Sequence, residues 1–336
     1  MTVQIEVGDC LDVLRTLDAG SVNCCVTSPP YFGLRDYGHD GQIGLESTPG
    51  AYVAKMVDVF REVRRVLRAD GTLWLNLGDS YAQAGGRGEQ GATSQRKGRA
   101  NIEAQKRRSS TTPPDGSKAK DLLGIPWRVA FALQADGWYL RQDIIWHKPN
   151  PMPESVRDRC TKAHEYIFLL SKSPKYYFDW QAMQEPATFK GPNGRQLSPY
   201  AQGFARRSPE EEQERRVSKS GNKVRKPAAA RDCPRDGVAG SIPWEGCTRN
   251  KRSVWTVTTK PFKGAHFATF PPDLIEPCVL AGCPEGGTVL DPFGGAGTTG
   301  LVASKRDRNA LLIELNPEYA EIARARIPTT GDWLDV

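Results

Sequence analysis

A glycine-rich turn near the C-terminus is the feature that most constrains the fold. TVLDPFGGAGTTG (288–300) places Gly295, Gly297 and Gly300 between a predicted strand and a predicted helix. This is the context of a dinucleotide-binding βαβ unit, in which glycine lets the backbone turn tightly and approach a ligand. The 336-residue chain ends 22 residues after Glu314, where the next predicted strand ends. Because so few residues cannot complete the sheet, its other strands must come from the N-terminal half, and the fold is circularly permuted.

Strands and helices alternate along the rest of the chain. VNCCVTSPPY (22–31) begins as an apolar run and stops at Pro-Pro, which predicts a buried strand followed by a loop. Residues 51–68 have the apolar spacing of an amphipathic helix, and 71–79 read as a strand after a turn at Asp70-Gly71. Further strands are predicted at 139–148 and 165–173, the last pair antiparallel. This alternation predicts an α/β, Rossmann-like, doubly wound sheet.

The positive charge is concentrated in two segments. The net charge is +7, and residues 190–252 alone hold 15 Lys and Arg against 7 Asp and Glu. Phe204, Trp244 and Trp255 lie among or beside these arginines, so we predict that 190–252 contacts nucleic acid. Residues 85–120 are also basic. For this second segment, a solvated loop and a mobile stretch that closes over DNA are both open.

Several protein classes are excluded by what the sequence lacks. The eight cysteines form no CxxC pair, which argues against a disulfide scaffold or a four-cysteine zinc site. No apolar run is long enough to span a membrane, and the N-terminus lacks the pattern of a secretion signal. We therefore expect a cytoplasmic protein with reduced thiols, no bound metal and no membrane association.

The acidic residue before the turn bears on the type of cofactor. Asp291-Pro292-Phe293 precedes the glycines. A carboxylate at this strand end would repel the pyrophosphate of NAD but would suit a ligand that carries a cation. S-adenosylmethionine, which has an ammonium and a sulfonium group and no phosphate, is a ligand of this kind.

Two motifs together carry a family resemblance. VTSPPY (26–31), followed far downstream by DPFGGAGTTG (291–300), resembles the amino-group DNA methyltransferases. The order, with the catalytic loop first and the cofactor turn last, is similar to that of their beta group. The resemblance covers most of 1–180 and 260–327. It implies a Rossmann-like S-adenosylmethionine-dependent methyltransferase fold with an inserted target-recognition region, and extrusion of the target base from the duplex.

The resemblance also implies roles for the catalytic loop. An exocyclic amine of cytosine or adenine is a poor nucleophile because its lone pair is delocalised into the ring. The Ser28 Oγ and the Pro29 carbonyl would accept hydrogen bonds from this amine and localise the lone pair. Pro29 and Pro30 would stiffen the loop. Tyr31 would stack on the extruded base.

The cofactor pocket implied by the family comes from both ends of the chain. Asp9 would contact the adenine amino group, although capping of a helix is the alternative role. Glu314 would accept bonds from the ribose hydroxyls, and a surface charge is its alternative. Asp291 would face the methionine ammonium, Phe293 would pack on the adenosyl group, and Thr298 and Thr299 would bond the carboxylate. The full predicted set is Asp9, Phe267, Thr269, Asp291, Phe293, Gly295, Gly297, Thr298, Thr299 and Glu314.

A tryptophan- and proline-rich run at 146–153 is similar to a family segment near the extruded base. Lys148 is predicted to meet a phosphate and Asn150 to read a base edge, while a rigid proline-rich loop is the alternative. The other predicted DNA contacts are Arg206, Arg207, Arg249, Lys251 and Arg252. We divide the chain into a catalytic part (1–180, with the basic insertion 85–120), a target-recognition region (181–258) and a cofactor part (259–336).

The target base and the partners complete the predictions. In the family that the chain resembles, Ser-Pro-Pro-Tyr is commoner in cytosine-N4 enzymes and Asp-Pro-Pro-Tyr is usual for adenine-N6 enzymes. A neutral serine also suits cytosine, whose ring N3 acceptor lies next to the amine, so cytosine N4 is favoured and adenine N6 remains the alternative. A non-catalytic DNA-binding protein and an RNA or protein methyltransferase are less favoured. The expected partners are double-stranded DNA, a second copy of the chain in a homodimer, and a cognate restriction endonuclease.

Overall fold

The computed structural model describes residues 1–34, 38–39, 41–82, 117–186, 248–259 and 270–327. The strands are β1 (Val3–Val7), β2 (Val22–Thr27), β3 (Leu67–Leu77), β4 (Tyr139–His147), β5 (His164–Ser171), β6 (Gln184–Pro186), β7 (Thr248–Asn250), β8 (Val254–Thr256), β9 (Thr288–Asp291) and β10 (Asn309–Glu314). The helices are α1 (Cys10–Thr16), α2 (Pro49–Val66), α3 (Ile125–Ala135), α4 (Pro272–Gly282), α5 (Thr298–Lys305) and α6 (Pro317–Arg326).

Eight strands form the main sheet, in the order β1-β10-β9-β2-β3-β5-β4-β8. Strands β1, β10, β9, β2 and β3 run parallel, while β5 is antiparallel to both β3 and β4. The two C-terminal strands, β9 and β10, lie between β1 and β2. The predicted α/β fold, its permuted order and the antiparallel β4–β5 pair are therefore confirmed.

Helices cover both faces of this sheet. Cys24 and Cys25 are consecutive in β2, so their side chains point to opposite faces. Cys25 belongs to the hydrophobic core that contains Leu14 of α1, Phe60 of α2 and Val129 of α3. On the other face, α4 and α5 pack together, and a Cβ added to Gly282 in α4 would lie 2.6 Å from the Cys24 Sγ. Buried apolar side chains on both faces thus hold the strand ends in fixed positions.

One local prediction was wrong. Asp70-Gly71 does not form a turn before β3, because both residues lie within that strand. Trp255, which borders the basic segment in the sequence, is 5% exposed in β8, which pairs with β4, and its indole nitrogen donates to the Arg252 carbonyl. Its apolar ring is therefore buried at the edge strand of the sheet and is not an exposed aromatic surface.

The chain divides into two compact units, Met1–Ala182 with Arg252–Val336, and Met183–Lys251. In the second unit β6 and β7 pair antiparallel, and Arg249 donates to Glu185 across them at 2.8 Å. The target-recognition role of 181–258 stays a prediction. No helix in the described ranges is both long and apolar enough to cross a membrane.

Candidate active site

A cavity of about 690 Å³ lies along the carboxyl edge of the parallel strands, the edge at which open α/β sheets bind ligands. The loops after β1, β2, β4, β9 and β10 contribute to it, together with Asn76 of β3 and Glu165 near the start of antiparallel β5. The predicted site residues that line it are Asp9, Ser28, Pro29, Pro30, Tyr31, Lys148, Asn150, Asp291, Phe293, Gly295, Thr298 and Glu314. One cavity therefore joins the two sequence motifs.

Asp291 links the catalytic loop to the glycine-rich turn. One carboxylate oxygen accepts a 2.6 Å hydrogen bond from the Thr27 hydroxyl, and the other accepts a 2.6 Å bond from the Thr299 hydroxyl. The Phe293 backbone N–H adds a third bond at 3.1 Å. Thr27 directly precedes Ser28, so Asp291 fixes the start of the catalytic loop. Asp291 also borders the cavity, and its contact with a methionine ammonium stays a prediction.

Burial makes the ionised form of Asp291 costly. The residue is 1% exposed, and this burial raises the pKa of its carboxyl to about 6, although the bonds from Thr27 and Thr299 act in the opposite direction. Between the ordinary pKa near 4 and pH 6, the native protein binds more protons than the unfolded chain. The contribution of this group to stability is therefore present at low pH and is lost as the pH rises through about 6.

Asp291→Asn should remove this pH dependence, because the amide keeps the shape of the side chain and does not titrate. The threonine hydroxyls can accept bonds as well as donate them. Between pH 4 and pH 7, the wild-type protein should lose up to about 3 kcal/mol of unfolding free energy relative to the variant. Urea unfolding at both pH values measures this difference. Equal pH dependence in the two proteins would show that Asp291 does not titrate in this range.

Glu314 stabilises the glycine-rich turn from the next strand. One of its carboxylate oxygens accepts a 2.7 Å bond from the Gly295 N–H, and the other accepts a 2.8 Å bond from the Asn316 N–H. Gly295 has a φ of +52°, a conformation that glycine adopts without strain. Burial raises the pKa of Glu314. Glu314 lines the cavity, and its contact with ribose hydroxyls stays a prediction.

Two residues of the predicted cofactor set instead face the protein interior. Gly297 does not line the cavity. It has a φ of +76°, and an added Cβ would lie 2.8 Å from the Ala323 Cβ in α6. Thr299 is fully buried and bonds to Asp291. The reason is that α5 begins at Thr298, which directs the Thr299 side chain to Asp291 and brings Gly297 against α6.

Gly297→Ala is expected to destabilise the protein by about 2–4 kcal/mol, because a left-handed φ and a close contact add together. Gly286→Ala is a matched control. Gly286 has a φ of +72°, but an added Cβ meets nothing within 4 Å, so only the conformational cost of about 1 kcal/mol applies. Denaturant unfolding compares the two. If both variants lose the same stability, packing against α6 does not explain the glycine.

Two further residues of the predicted cofactor set, Asp9 and Thr298, line the cavity and also make hydrogen bonds within the protein. Asp9 lines the cavity and also caps α1, since its Oδ1 accepts from the Leu11 and Asp12 N–H groups at 2.8 and 3.2 Å. Thr298 lines the cavity while its hydroxyl accepts a 2.8 Å bond from Arg326. Capping therefore accounts for one oxygen of Asp9, and Thr298 reaches both the cavity and α6.

The predicted catalytic loop, residues 28–31, makes close contacts with its neighbours. The Tyr52 hydroxyl donates to the Pro30 carbonyl at 2.9 Å. The Tyr31 ring lies against Gly78, where an added Cβ would come within 2.5 Å of it. The Ser28 hydroxyl lies 3.3 Å from the Tyr31 hydroxyl. Both hydroxyls therefore occupy defined positions at the cavity.

Glu165 is a site residue that the sequence analysis missed. Its Oε2 accepts a 2.8 Å bond from the Tyr31 hydroxyl and a 3.4 Å bond from the Asn76 amide. Its Oε1 accepts from the Lys148 ammonium. Asn76 and Glu165 both line the cavity. A charged residue at the start of the apolar run 166–170, in a strand expected to be antiparallel, was the available signal.

Two predicted DNA contacts, Lys148 and Asn150, also make bonds within the protein. Lys148 pairs with Glu165 and lies 4.1 Å from the centre of the Trp146 ring, so its charge is already balanced. Asn150 binds the Thr259 backbone through both its amide nitrogen and its amide oxygen. The side chains therefore anchor the cavity wall. Both residues line the cavity, and the phosphate contact of Lys148 and base reading by Asn150 stay predictions.

The other predicted DNA-binding and cofactor residues are only partly described. Arg249 pairs with Glu185, and the Lys251 N–H donates to the Met183 carbonyl at 2.8 Å. Lys251 is the last residue of the second unit, and Arg252 belongs to the first unit. The residues that lie outside the described ranges are Arg206, Arg207, Phe267 and Thr269. Within those ranges, no group of three His, Cys, Asp or Glu side chains could hold a metal ion.

Comparison with known proteins shows that this chain is similar to DNA methyltransferases. The chain matches the DNA methylase family model over residues 22–325. It is 47% identical over 320 residues to the Type II methyltransferase M.Cfr9I of Citrobacter freundii, covering 95% of this chain and 86% of that protein. It is also 47% identical over 324 residues to the Type II methyltransferase M.SmaI of Serratia marcescens, covering 96% and 90%.

Solved structures support the same architecture. The cytosine-N4-specific PvuII DNA methyltransferase superposes with a TM-score of 0.58 at 18% identity, covering 98% of this chain and 88% of that one. TTHA0409 of Thermus thermophilus, solved with S-adenosyl-L-methionine, superposes with a TM-score of 0.53 at 22% identity, covering 97% and 93%. At these identities the two structures show the fold.

Proposed function

This chain belongs to the DNA methylase family, and from that premise we propose that it methylates an exocyclic amino group of a base extruded from double-stranded DNA. S-adenosylmethionine is the methyl donor, and cytosine N4 is the favoured target, with adenine N6 as the alternative. The observation that carries the proposal is the Thr27–Asp291 hydrogen bond of 2.6 Å. It joins the Ser28 loop to the glycine-rich turn at one cavity, so a methyl acceptor and a methyl donor can lie side by side.

The charges at the cavity fit this cofactor. Asp9, Asp291 and Glu314 border it along three neighbouring strands. Among the lining residues within the described ranges, the basic side chains are His39 and Lys148. Carboxyl groups in this number would repel a pyrophosphate but attract an ammonium and a sulfonium group. When it is bound, S-adenosylmethionine supplies a methyl group attached to a positively charged sulfur.

Ser28 and Pro29 provide the acceptors for the target amine. The Ser28 Oγ accepts one amine hydrogen and the Pro29 carbonyl accepts the other, which shifts the nitrogen toward tetrahedral geometry and localises its lone pair. Pro30, held by the Tyr52 hydroxyl, keeps the loop in place. Holding the nitrogen in line with the methyl group removes most of the entropic cost of the encounter.

Tyr31 provides one wall of the base site. Its hydroxyl donates toward the Asn76 Oδ1 at 3.0 Å and the Glu165 Oε2 at 2.8 Å, so the ring has one orientation. Gly78 allows this ring to pack closely against the end of β3. A fixed aromatic face stabilises an extruded base by stacking, which offsets part of the cost of unstacking it from the duplex.

The preference for cytosine rests on the resemblance of the catalytic motif, because Ser-Pro-Pro-Tyr is commoner in the cytosine-N4 enzymes of the family, and the charge of the motif is compatible with it. A serine hydroxyl is neutral, and it can accept from the cytosine amine without placing an anion beside the ring N3 lone pair. A carboxylate at the same position would repel that lone pair. The adenine amine is flanked by a similar ring nitrogen, so adenine stays the alternative. The homodimer and the companion endonuclease stay predictions.

Mass spectrometry of nucleosides tests the proposal directly. The purified protein is incubated with mixed-sequence duplex DNA and deuterium-labelled S-adenosylmethionine, and the DNA is then digested to nucleosides. We expect labelled N4-methylcytosine. Labelled N6-methyladenine would establish the alternative target, and the absence of any labelled nucleoside would refute the function. Unmodified duplex RNA of the same sequence is the control and should remain unlabelled.

A further inference from the structure

Glu165 lies at the carboxyl edge of the parallel strands because its own strand runs the opposite way. β5 begins at His164, and Glu165 pairs in register with Trp146 near the end of β4. The beginning of β5 therefore meets the ends of β3 and β4. The Glu165 side chain is 16% exposed, and it lines the cavity together with Ser28 and Tyr31.

The two oxygens of the Glu165 carboxylate have different partners. The Lys148 ammonium, which can only donate, is paired with Oε1, while the Tyr31 hydroxyl and the Asn76 amide meet Oε2. Lys148 is itself held over the Trp146 ring. The ion pair thus holds the Glu165 carboxylate in one orientation, in which its oxygens accept hydrogen bonds.

Because Glu165 accepts hydrogen bonds, it determines the direction in which the Tyr31 and Ser28 hydroxyls donate. Because the Glu165 carboxylate and the Asn76 amide oxygen both accept, the Tyr31 hydroxyl must use its single hydrogen toward them. The Tyr31 oxygen is then left as an acceptor for the Ser28 hydroxyl, 3.3 Å away. Burial and the negative charge of Glu165 raise the pKa of Tyr31, so its hydrogen is retained.

We propose that Glu165 is a positioning residue for methyl transfer, acting through Tyr31 to turn the Ser28 hydrogen away from the target amine. With that hydrogen directed at Tyr31, the lone pairs of the Ser28 Oγ face the cavity and can accept from the amine N–H. Without the carboxylate, the Ser28 hydroxyl can point its hydrogen at the amine nitrogen and occupy the lone pair that must attack. This inference rests on the proposed function, and it assigns Lys148 to orienting Glu165.

The test is a double-mutant cycle between Tyr31 and Glu165. Glu165→Gln puts a donor where the carboxylate was, and we expect the single-turnover rate of methyl transfer to fall roughly 10- to 100-fold, the range for a hydrogen bond to a charged group. Affinity for S-adenosylmethionine should stay within about twofold, since Glu165 acts on the amine side. Tyr31→Phe removes the connecting hydroxyl. In that background, Glu165→Gln should cause no further loss.

Glu154→Gln is the matched control, because Glu154 also forms an ion pair, with Arg159, but does not line the cavity. It should methylate at the wild-type rate. Wild-type-like transfer by Glu165→Gln, or losses that simply add in the double variant, would overturn the positioning role while leaving the proposed function intact. If Glu165→Gln unfolds, Glu165→Asp replaces it in the cycle, with the same criterion. A wild-type protein that labels no DNA would overturn both.

Discussion

Replacing Ser28 with alanine is expected to lower the single-turnover rate of methyl transfer about 10²- to 10³-fold, the effect of losing one positioned hydrogen-bonding group at a reacting centre. The Ser28 Oγ lies at the cavity beside the Tyr31 hydroxyl, and alanine removes that oxygen without adding bulk. The change concerns the target amine. Affinity for S-adenosylmethionine, measured by calorimetry, should therefore remain within about twofold of wild type.

Ser80→Ala is the control for an indirect effect on the loop. The Ser80 hydroxyl donates to the Phe32 carbonyl at 3.2 Å, so it supports the same loop without lining the cavity. Its substitution should leave the rate nearly unchanged. Full activity in Ser28→Ala would remove Ser28 from the catalytic group. An equally inactive Ser80→Ala would attribute the loss to the loop and not to the amine contact.

The sequence predicted the part of the site whose residues lie close together along the chain. Asp291, Gly295 and Glu314 lie within one strand–turn–helix–strand segment, and both the period of the apolar residues and the turn glycines identify such a segment. The permuted order also followed from sequence, since too few residues remained after Glu314. The parallel arrangement then brings these strand ends to the same edge as Ser28, which the structure confirms.

What the sequence did not predict depends on contacts between distant segments. Gly297 is required by Ala323 in α6, and Thr299 by Asp291 and the sheet. In the sequence, Gly297 and Thr299 fit a ligand-binding turn equally well, because the motif gives the residue types but not which side chains face the interior. Packing of α5 against α6 decides between the two roles.

Lys148 and Asn150 also have bonding partners that the sequence alone does not identify. The resemblance of the 146–153 run predicts a phosphate contact for Lys148, but it does not indicate that Lys148 pairs with Glu165, 17 residues away at the start of the antiparallel strand. Asn150 has its partner, Thr259, 109 residues away. Partners this far apart are identified only when the sheet is assembled, and Glu165 itself was overlooked for that reason.

Excision of 188–246 is the second change expected to have a large effect. β6 ends at Pro186 and β7 begins at Thr248, and Pro186 pairs in register with Thr248. A short Gly-Ser linker can therefore replace the segment as a hairpin turn and keep both strands. The excision removes 12 Lys and Arg and 7 Asp and Glu. We expect S-adenosylmethionine affinity to be retained and the preference for the methylated site to fall roughly 10³-fold or more, toward non-specific binding.

The physical reason is that basic side chains supply affinity through phosphates, while polar side chains among them read base edges. Residual DNA binding by the excised variant should also depend less steeply on salt than that of wild type. Arg206→Ala with Arg207→Ala tests the same segment more mildly, and Arg61→Ala, whose side chain is 56% exposed on α2 and paired with Asp136, is the control that should bind DNA normally. An excised protein that still methylates the same site with unchanged preference would place recognition in the catalytic unit, and 181–258 would lose its proposed role.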